Sequence, residues 1–237
     1  MIVIIKKKKL IRAVLLILAI GMMSLITNYS VTCFNNKQEP FYKGNKENSN
    51  HVAITCNVDW GNEYIEGILQ TLKEENIKIT FMVTGRWADK YPDLLMKIKE
   101  DGHEIGNHGY KHIDYSKLDY KSNYEEIEKS KKIIDNIIKE DTKFFEPPSG
   151  YYNESTVKAA VDLNYIPIKW TIDTIDWKYK DNPEKIVQRI KSKNMEESGI
   201  ILMHPTKATS QALKSIIETI RNNGYEVGSL SDVFDVE

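Results

Sequence analysis

From residue 51 onward, short apolar runs alternate with amphipathic ones. Residues 52–56 (VAITC) form a continuous apolar stretch of strand length. Ile65, Ile68, Leu69 and Leu72 then recur at three- and four-residue spacing, which places one apolar face on a helix. Residues 77–83 read as a second strand ending before Gly85, and Leu94, Leu95 and Ile98 mark a helix stopped by Gly102. Residues 103–107 give a short strand. Residues 124–139 give a helix with Ile127, Ile133, Ile134, Ile137 and Ile138 inward. A strand at 143–145 is cut by Pro147 and Pro148, because proline cannot donate to a ladder. A helix at 153–164, a strand at 165–171, a helix at 184–193, a strand at 200–204 and a helix at 211–223 follow, and residues 225–227 close the series. Strands alternating with helices predict parallel βαβ units. About seven such units in one domain suit a barrel or a doubly wound sheet.

The N-terminus breaks this pattern. Lys6, Lys7, Lys8, Lys9 and Arg12 precede an apolar run from 13 to 26 that only Gly21 and Ser24 interrupt. That is the form of a signal peptide or signal anchor, assigned to residues 1–33. The run is shorter than the roughly 20 residues of a comfortable span, although its neighbours extend it. No A-x-A site follows it, and Ser30-Val31-Thr32-Cys33 only faintly resembles a lipoprotein box. The lysines stay inside, which places the remainder on the outer face of the membrane or in the cell wall. Residues 34–50 are polar and read as a tether, leaving 51–237 as the domain.

Composition narrows the partners. A formal charge of −1 over 237 residues gives no electrostatic case for nucleic acid. A monomer with a membrane contact through its N-terminal segment is expected. Cys33 and Cys56 read as unpaired thiols, Cys56 as a small core residue.

Candidate chemistry follows the strands. His108 and His112, four positions apart, are neutral imidazoles of the kind that bind zinc-like ions. Asn57 and Asp59, Glu146, Asp173 and Asp176, and His204 each come directly after an expected strand. The strand C-terminal ends form the reaction face of α/β barrels, so this shared placement assigns them to one site and favours the barrel. Asp173 and Asp176 also suit the cap of the following helix. Trp60, Trp87, Trp170, Trp177 and Tyr151 all suit the core, Trp177 alone also suits an apolar wall beside the site, and Pro147-Pro148 most simply ends a strand. His103 precedes the turn and reads as structural.

These residues resemble the NodB-homology polysaccharide deacetylases, carbohydrate esterase family four, over residues 51–234. TCNVDWG at 55–61 occupies the place of the first motif, T-F-D-D-G. GHEIGNHGYKH at 102–112 looks like the second, FEPPSG at 145–150 stands where the family has R-P-P-x-G, DTIDW at 173–177 is similar to the fourth, and ILMH at 201–204 to the fifth. The resemblance implies a distorted (β/α)7-type barrel. It also implies a divalent metal held by an aspartate and two histidines, Zn2+ with Co2+ as the alternative. His108 and His112 match the metal histidines, with Asp59 as metal ligand or base. His204 matches the histidine that protonates the leaving amine, and Asp173 and Asp176 match the fourth motif. Trp177, Pro147, Pro148, Tyr151 and Leu202 are the candidates to line the substrate.

Two departures matter. Asn57 replaces the base aspartate and Val58 the metal aspartate; Glu146 replaces the arginine that holds the base. Losing the base and its arginine together is consistent, since an arginine beside an amide is a charge without a partner. Glu146 is then either a relocated base or the mark of an inactive site. The expected activity is metal-dependent N-deacetylation of an N-acetylated cell-wall glycan, peptidoglycan or chitin-like. The alternative is a weak or inactive glycan-binding protein on the same fold. A glycosidase would need a flanking carboxylate pair, for which Asp59 and Glu146 are available, but it leaves the histidines unexplained.

Overall fold

The computed structural model describes residues 39–236, Lys180 excepted. Eight strands, all parallel, make one sheet: β1 (His51–Val58), β2 (Thr80–Val83), β3 (Glu104–Asn107), β4 (Phe144–Phe145), β5 (Ile166–Pro167), β6 (Ile172–Asp173), β7 (Ile200–Met203) and β8 (Glu226–Gly228). The order is β5-β4-β3-β2-β1-β7-β6, and β8 pairs with the start of β1. The helices between them are α1 (Asn62–Glu74), α2 (Gly85–Lys90), α3 (Pro92–Glu100), α4 (Tyr120–Ile138), α5 (Glu154–Asp162), α6 (Asp176–Tyr179), α7 (Pro183–Lys191), α8 (Lys207–Asn222) and α9 (Leu230–Val233).

The two ends of this sheet, β5 and β6, are neighbours in sequence. Only residues 168–171 link them, so the sheet curls into an incomplete barrel. The strand expected at 165–171 contains only the short β5, and β6 begins just beyond it. Ile168 still donates to Phe145 O on the β4 side (2.8 Å), while Thr171 donates to Ile200 O on β7 (2.9 Å), so the segment switches from one sheet end to the other. Phe41 stands at the switch. Its N–H donates to Pro167 O (2.9 Å), its carbonyl accepts from Lys169 N (2.7 Å), and its ring packs edge-on against Phe234. Gly44 and Lys46 continue the contact through Ser198 O and Val233 O. The tether expected over 34–50 is thus bound to the domain from Glu39 on, and Glu39–Glu237 forms one compact unit. The segment 1–33 lies outside the described residues.

Side-chain alternation along β1 sorts the core into two layers. Ile54, Cys56 and Val58 join the helix-side cluster with Ile65, Leu72 and Ile216. Ala53 points the other way and packs inside the curl with Met82, Phe144 and Ile200, beneath Leu230, Val233 and Phe234. The apolar plug fills the end of the curl where the strands begin. Polar groups occupy the end where they finish.

Three short helices, α2, α6 and α9, escaped the pattern, and α4 starts early. Thr84 caps α2 by accepting from Trp87 N, but six residues carry too little periodicity to register. α4 begins at Tyr120, four residues earlier than expected, because Asp119 caps it through Ser122 N. Cys56 is a buried free thiol.

Candidate active site

Asn57, Glu146 and His108 meet at the C-terminal ends of β1, β4 and β3. All three are buried. Asn57 Nδ2 donates to Glu146 Oε1 (2.5 Å) and lies 3.4 Å from His108 Nε2. His108 Nδ1 donates to the Glu146 carbonyl (2.8 Å), which fixes the tautomer and leaves Nε2 with the lone pair. Burial, reinforced by the nearby His112, lowers the His108 pKa to about 3, so the ring is neutral. Burial raises the Glu146 carboxyl to about 7, against the pull of the Asn57 amide. Asn57 Oδ1 and Glu146 Oε2 are buried with no hydrogen-bond partner among the described residues.

His112 lies beside His108, with ring centroids 5.4 Å apart and planes inclined by 59°. Burial lowers its pKa as well. Both rings are thus in the form that ligates metal.

Asp59 is engaged elsewhere. Its Oδ1 accepts from Thr84 Oγ1 (2.7 Å) and from Arg86 Nε (2.7 Å), and Arg86 Nη2 closes on Oδ2. Burial pushes the carboxyl up, but Arg86 and Thr84 outweigh it and hold the pKa below the usual range. The sharp turn that aims Asp59 this way uses Gly61, at φ 83°, where a Cβ would lie 2.1 Å from Pro205 O.

His204 ends β7 against Asp176. The Asp176 carboxylate is fully buried and accepts from His204 Nδ1 (2.8 Å), His204 N (2.6 Å) and Thr209 Oγ1 (2.7 Å). Burial lowers the His204 pKa, yet the hydrogen bond and charge of Asp176 prevail and raise it. Trp60, 46% exposed, stacks parallel over the imidazole at 6.1 Å. Asp176 is thus a holder for His204 as well as the first residue of α6. Asp173 lies near enough for its charge to be felt at both Glu146 and His204. Its Oδ1 accepts from Ile175 N (2.8 Å), so it also shapes the turn.

The expected lining divides. Trp177 (55%) and Tyr151 (56%) are exposed, whereas Leu202, Pro147 and Pro148 are buried and offer a ligand little surface. Pro148–Gly150 forms a single turn with Ser149 and Gly150 both at positive φ. Arg86 and Thr84 were missed by sequence reasoning. They follow β2 directly, so the rule that located the other site residues also locates them. His103, expected to be structural, accepts from Ile79 N and packs edge-on against Phe81.

The donor set fits a metal only in part. Two neutral imidazoles suit a divalent ion, but Val58 packs in the helix-side core and Asp59 is neutralised by a guanidinium. Among the described residues, no three His, Cys, Asp or Glu side chains are arranged to hold one.

The family model for polysaccharide deacetylase matches residues 44–168, more than half of the chain. The chain belongs to the polysaccharide deacetylase family. Within this family of deacetylases it is 39% identical, over 83% of its own length, to the uncharacterized protein YlxY of Bacillus subtilis, and spans 61% of that protein. It is 30% identical to a peptidoglycan-N-acetylglucosamine deacetylase of Bacillus cereus, covering 79% of this chain and 69% of the other. Among solved structures it resembles BA3943 of Bacillus anthracis, described as a CE4 family pseudoenzyme. The TM-score is 0.79 at 34% identity, over 84% of this chain and 71% of the other.

Proposed function

We propose that this deacetylase acts on the acetamido group of an N-acetylated cell-wall glycan, hydrolysing its C–N bond, outside the cell. The observation that carries the reading is the Asp176–His204 pair at the same mouth as two neutral imidazoles. The substrate class follows the relatives, whose names specify peptidoglycan. Deacetylases of this kind are generally metal-dependent. We assign the ion as Zn2+, with Co2+ as the alternative, to His108 and His112. When bound, it would polarise the acetyl carbonyl and acidify a water.

The chain's own groups divide the remaining work. His204, whose pKa Asp176 raises, supplies the proton that the leaving amine needs. His108 keeps its Nε2 lone pair because the Glu146 carbonyl occupies Nδ1. Glu146 Oε2, unpartnered, is the remaining carboxylate oxygen beside Asn57 that can take a proton from water. Trp177 and Tyr151 offer exposed ring surface for the sugar. The segment 1–33 directs export as a signal or anchor, and among the described residues no helix is long and apolar enough to cross a membrane.

A second reading, glycan binding without turnover, is favoured by one specific feature. The first motif offers an amide at position 57, and its only carboxylate, Asp59, is neutralised by Arg86. The likeness to BA3943 supports the same reading. The test is acetate release from peptidoglycan and chitooligosaccharides by the purified protein, with added Zn2+ or Co2+ and with chelator. Chelator-sensitive release supports hydrolysis. Glycan retention without release under every condition supports the second reading.

A further inference from the structure

Lys169 follows β5 at the strand end that carries Glu146 on β4. Its ammonium stands among three aromatic rings, 5.2 Å from the centroid of Tyr42, 5.4 Å from Tyr152 and 5.3 Å from Trp170. The Tyr42 and Tyr152 hydroxyls approach each other at 3.4 Å and tie the strap to the turn after β4. No carboxylate lies within ion-pair distance of Lys169 among the described residues, whereas Lys43, Lys99, Lys131 and Lys158 each have one. Nor is the position remote from the site. The Lys169 charge is felt at Glu146, and its Nζ lies 3.1 Å from where a Cβ on Gly150 would stand. Gly150 holds φ 68° there, so the turn is built to let the ammonium approach.

Ring faces attract a cation and hold it in place without neutralising it. A half-buried ammonium supported this way keeps its full charge for an incoming anion. On a glycan the available anion is a carboxylate, since hydroxyls and acetamides are neutral. The rings fix the ammonium beside exposed Tyr42, on which a neighbouring sugar can lie.

We propose that Lys169, propped by Tyr42, Tyr152 and Trp170, is a carboxylate-accepting subsite that selects acidic over neutral N-acetylated glycans. The proposal rests on the glycan reading above and specifies which glycan is preferred. The carboxylate has two sources in peptidoglycan, the lactyl group of a muramyl sugar and the stem peptide attached to it. Their shared chemistry is what Lys169 recognises.

Binding, rather than turnover, is the decisive measurement, because it is readable whether or not the site hydrolyses. The full chain is titrated calorimetrically with three probes: N-acetylglucosamine tetramer, the peptide-free tetrasaccharide of alternating N-acetylglucosamine and N-acetylmuramic acid, and its peptide-bearing form. The expected result is about tenfold tighter binding of a carboxylate-bearing probe, the strength of one charged hydrogen bond. A preference shown by the peptide-free probe identifies the lactyl group; one confined to the third probe identifies the peptide. Lys169→Gln should abolish the preference and leave the neutral tetramer within about twofold. Lys169→Arg should retain the preference. Equal binding of all three probes by the wild-type chain would overturn the subsite while leaving the glycan reading intact. So would a preference that survives Lys169→Gln. A purely structural lysine is revealed if Lys169→Arg and Lys169→Gln weaken all three probes alike. Failure to bind any probe would overturn the glycan reading and the subsite together.

Discussion

Arg86 closes on Asp59 with two guanidinium nitrogens, while Thr84 takes a further place on the same carboxylate. The first-motif carboxylate that sequence spacing offers to a metal is thereby given to a neighbouring helix instead.

This pairing predicts a gain of metal affinity on removing the arginine. Arg86→Gln leaves Asp59 with Thr84 alone and frees one oxygen to join His108 and His112. Calorimetric Zn2+ titration should show tighter binding by about tenfold or more, since a third charged ligand is added. The gain should vanish in Arg86→Gln combined with Asp59→Asn. Metal stoichiometry unchanged by His108→Ala with His112→Ala would show that the imidazoles hold no ion.

Asn57 and Glu146 form a coupled pair. Asn57→Asp alone places two carboxylates at hydrogen-bond distance in a buried site, so they must share a proton or separate. Glu146→Arg alone buries a guanidinium against an amide. Each should cost about 2–4 kcal/mol in chemical denaturation, as unpaired buried charges do. The double variant supplies opposite charges and should recover most of that loss, giving a strongly non-additive cycle. If the wild type is a weakened enzyme, the double variant should also release acetate faster.

Glu146 also predicts a pH dependence. Its folded-state pKa of about 7 lies above the ordinary 4.5, so the folded state holds the proton more tightly than the unfolded chain. Its stabilising contribution is complete below pH 4.5 and is lost as pH rises through about 7. Over that window the loss should approach about 3 kcal/mol. Glu146→Gln, which keeps the shape but cannot titrate, should flatten the stability profile between those limits. A wild-type profile as flat as the variant's would contradict the burial argument.

The Asp176–His204 pair is readable by NMR titration. Asp176 raises the His204 pKa, so a protonated imidazole stabilises the fold below the ordinary value of 6.5 and loses that effect as pH rises through the folded value. Asp176→Asn removes the opposing charge but keeps most of the hydrogen-bonding shape. The His204 pKa should then fall, because burial is opposed only by the charges of Glu146 and Asp173. Hydrolysis, if measured, should decline with it while glycan binding persists.

Much of the strand framework was legible because parallel strands are buried on both faces and read as continuous apolar runs. Residues 52–56 and 200–203 are of this kind. The change of partner between Ile168 and Thr171 was not legible, since nothing local in the sequence says which strand a residue pairs with. The strap at Phe41 was read as a tether because two adjacent aromatics among polar neighbours have no period. The candidate site was legible as a set of positions after strands. Its internal pairings were not, because the hand that Asp59 takes depends on Gly61 and on the cap of a six-residue helix.

Phe41 lies far upstream of Pro167 and Lys169, the residues it joins across the open seam of the barrel. Chains are made from the N-terminus, and domains acquire long-range contacts only when both partners exist. The strap therefore emerges ahead of almost all of the domain, yet cannot dock until β5 has formed. Until then the sheet has an unsealed border, the kind of surface on which strands of other chains pair. A segment made early thus waits on one made much later before the barrel's seam can be sealed.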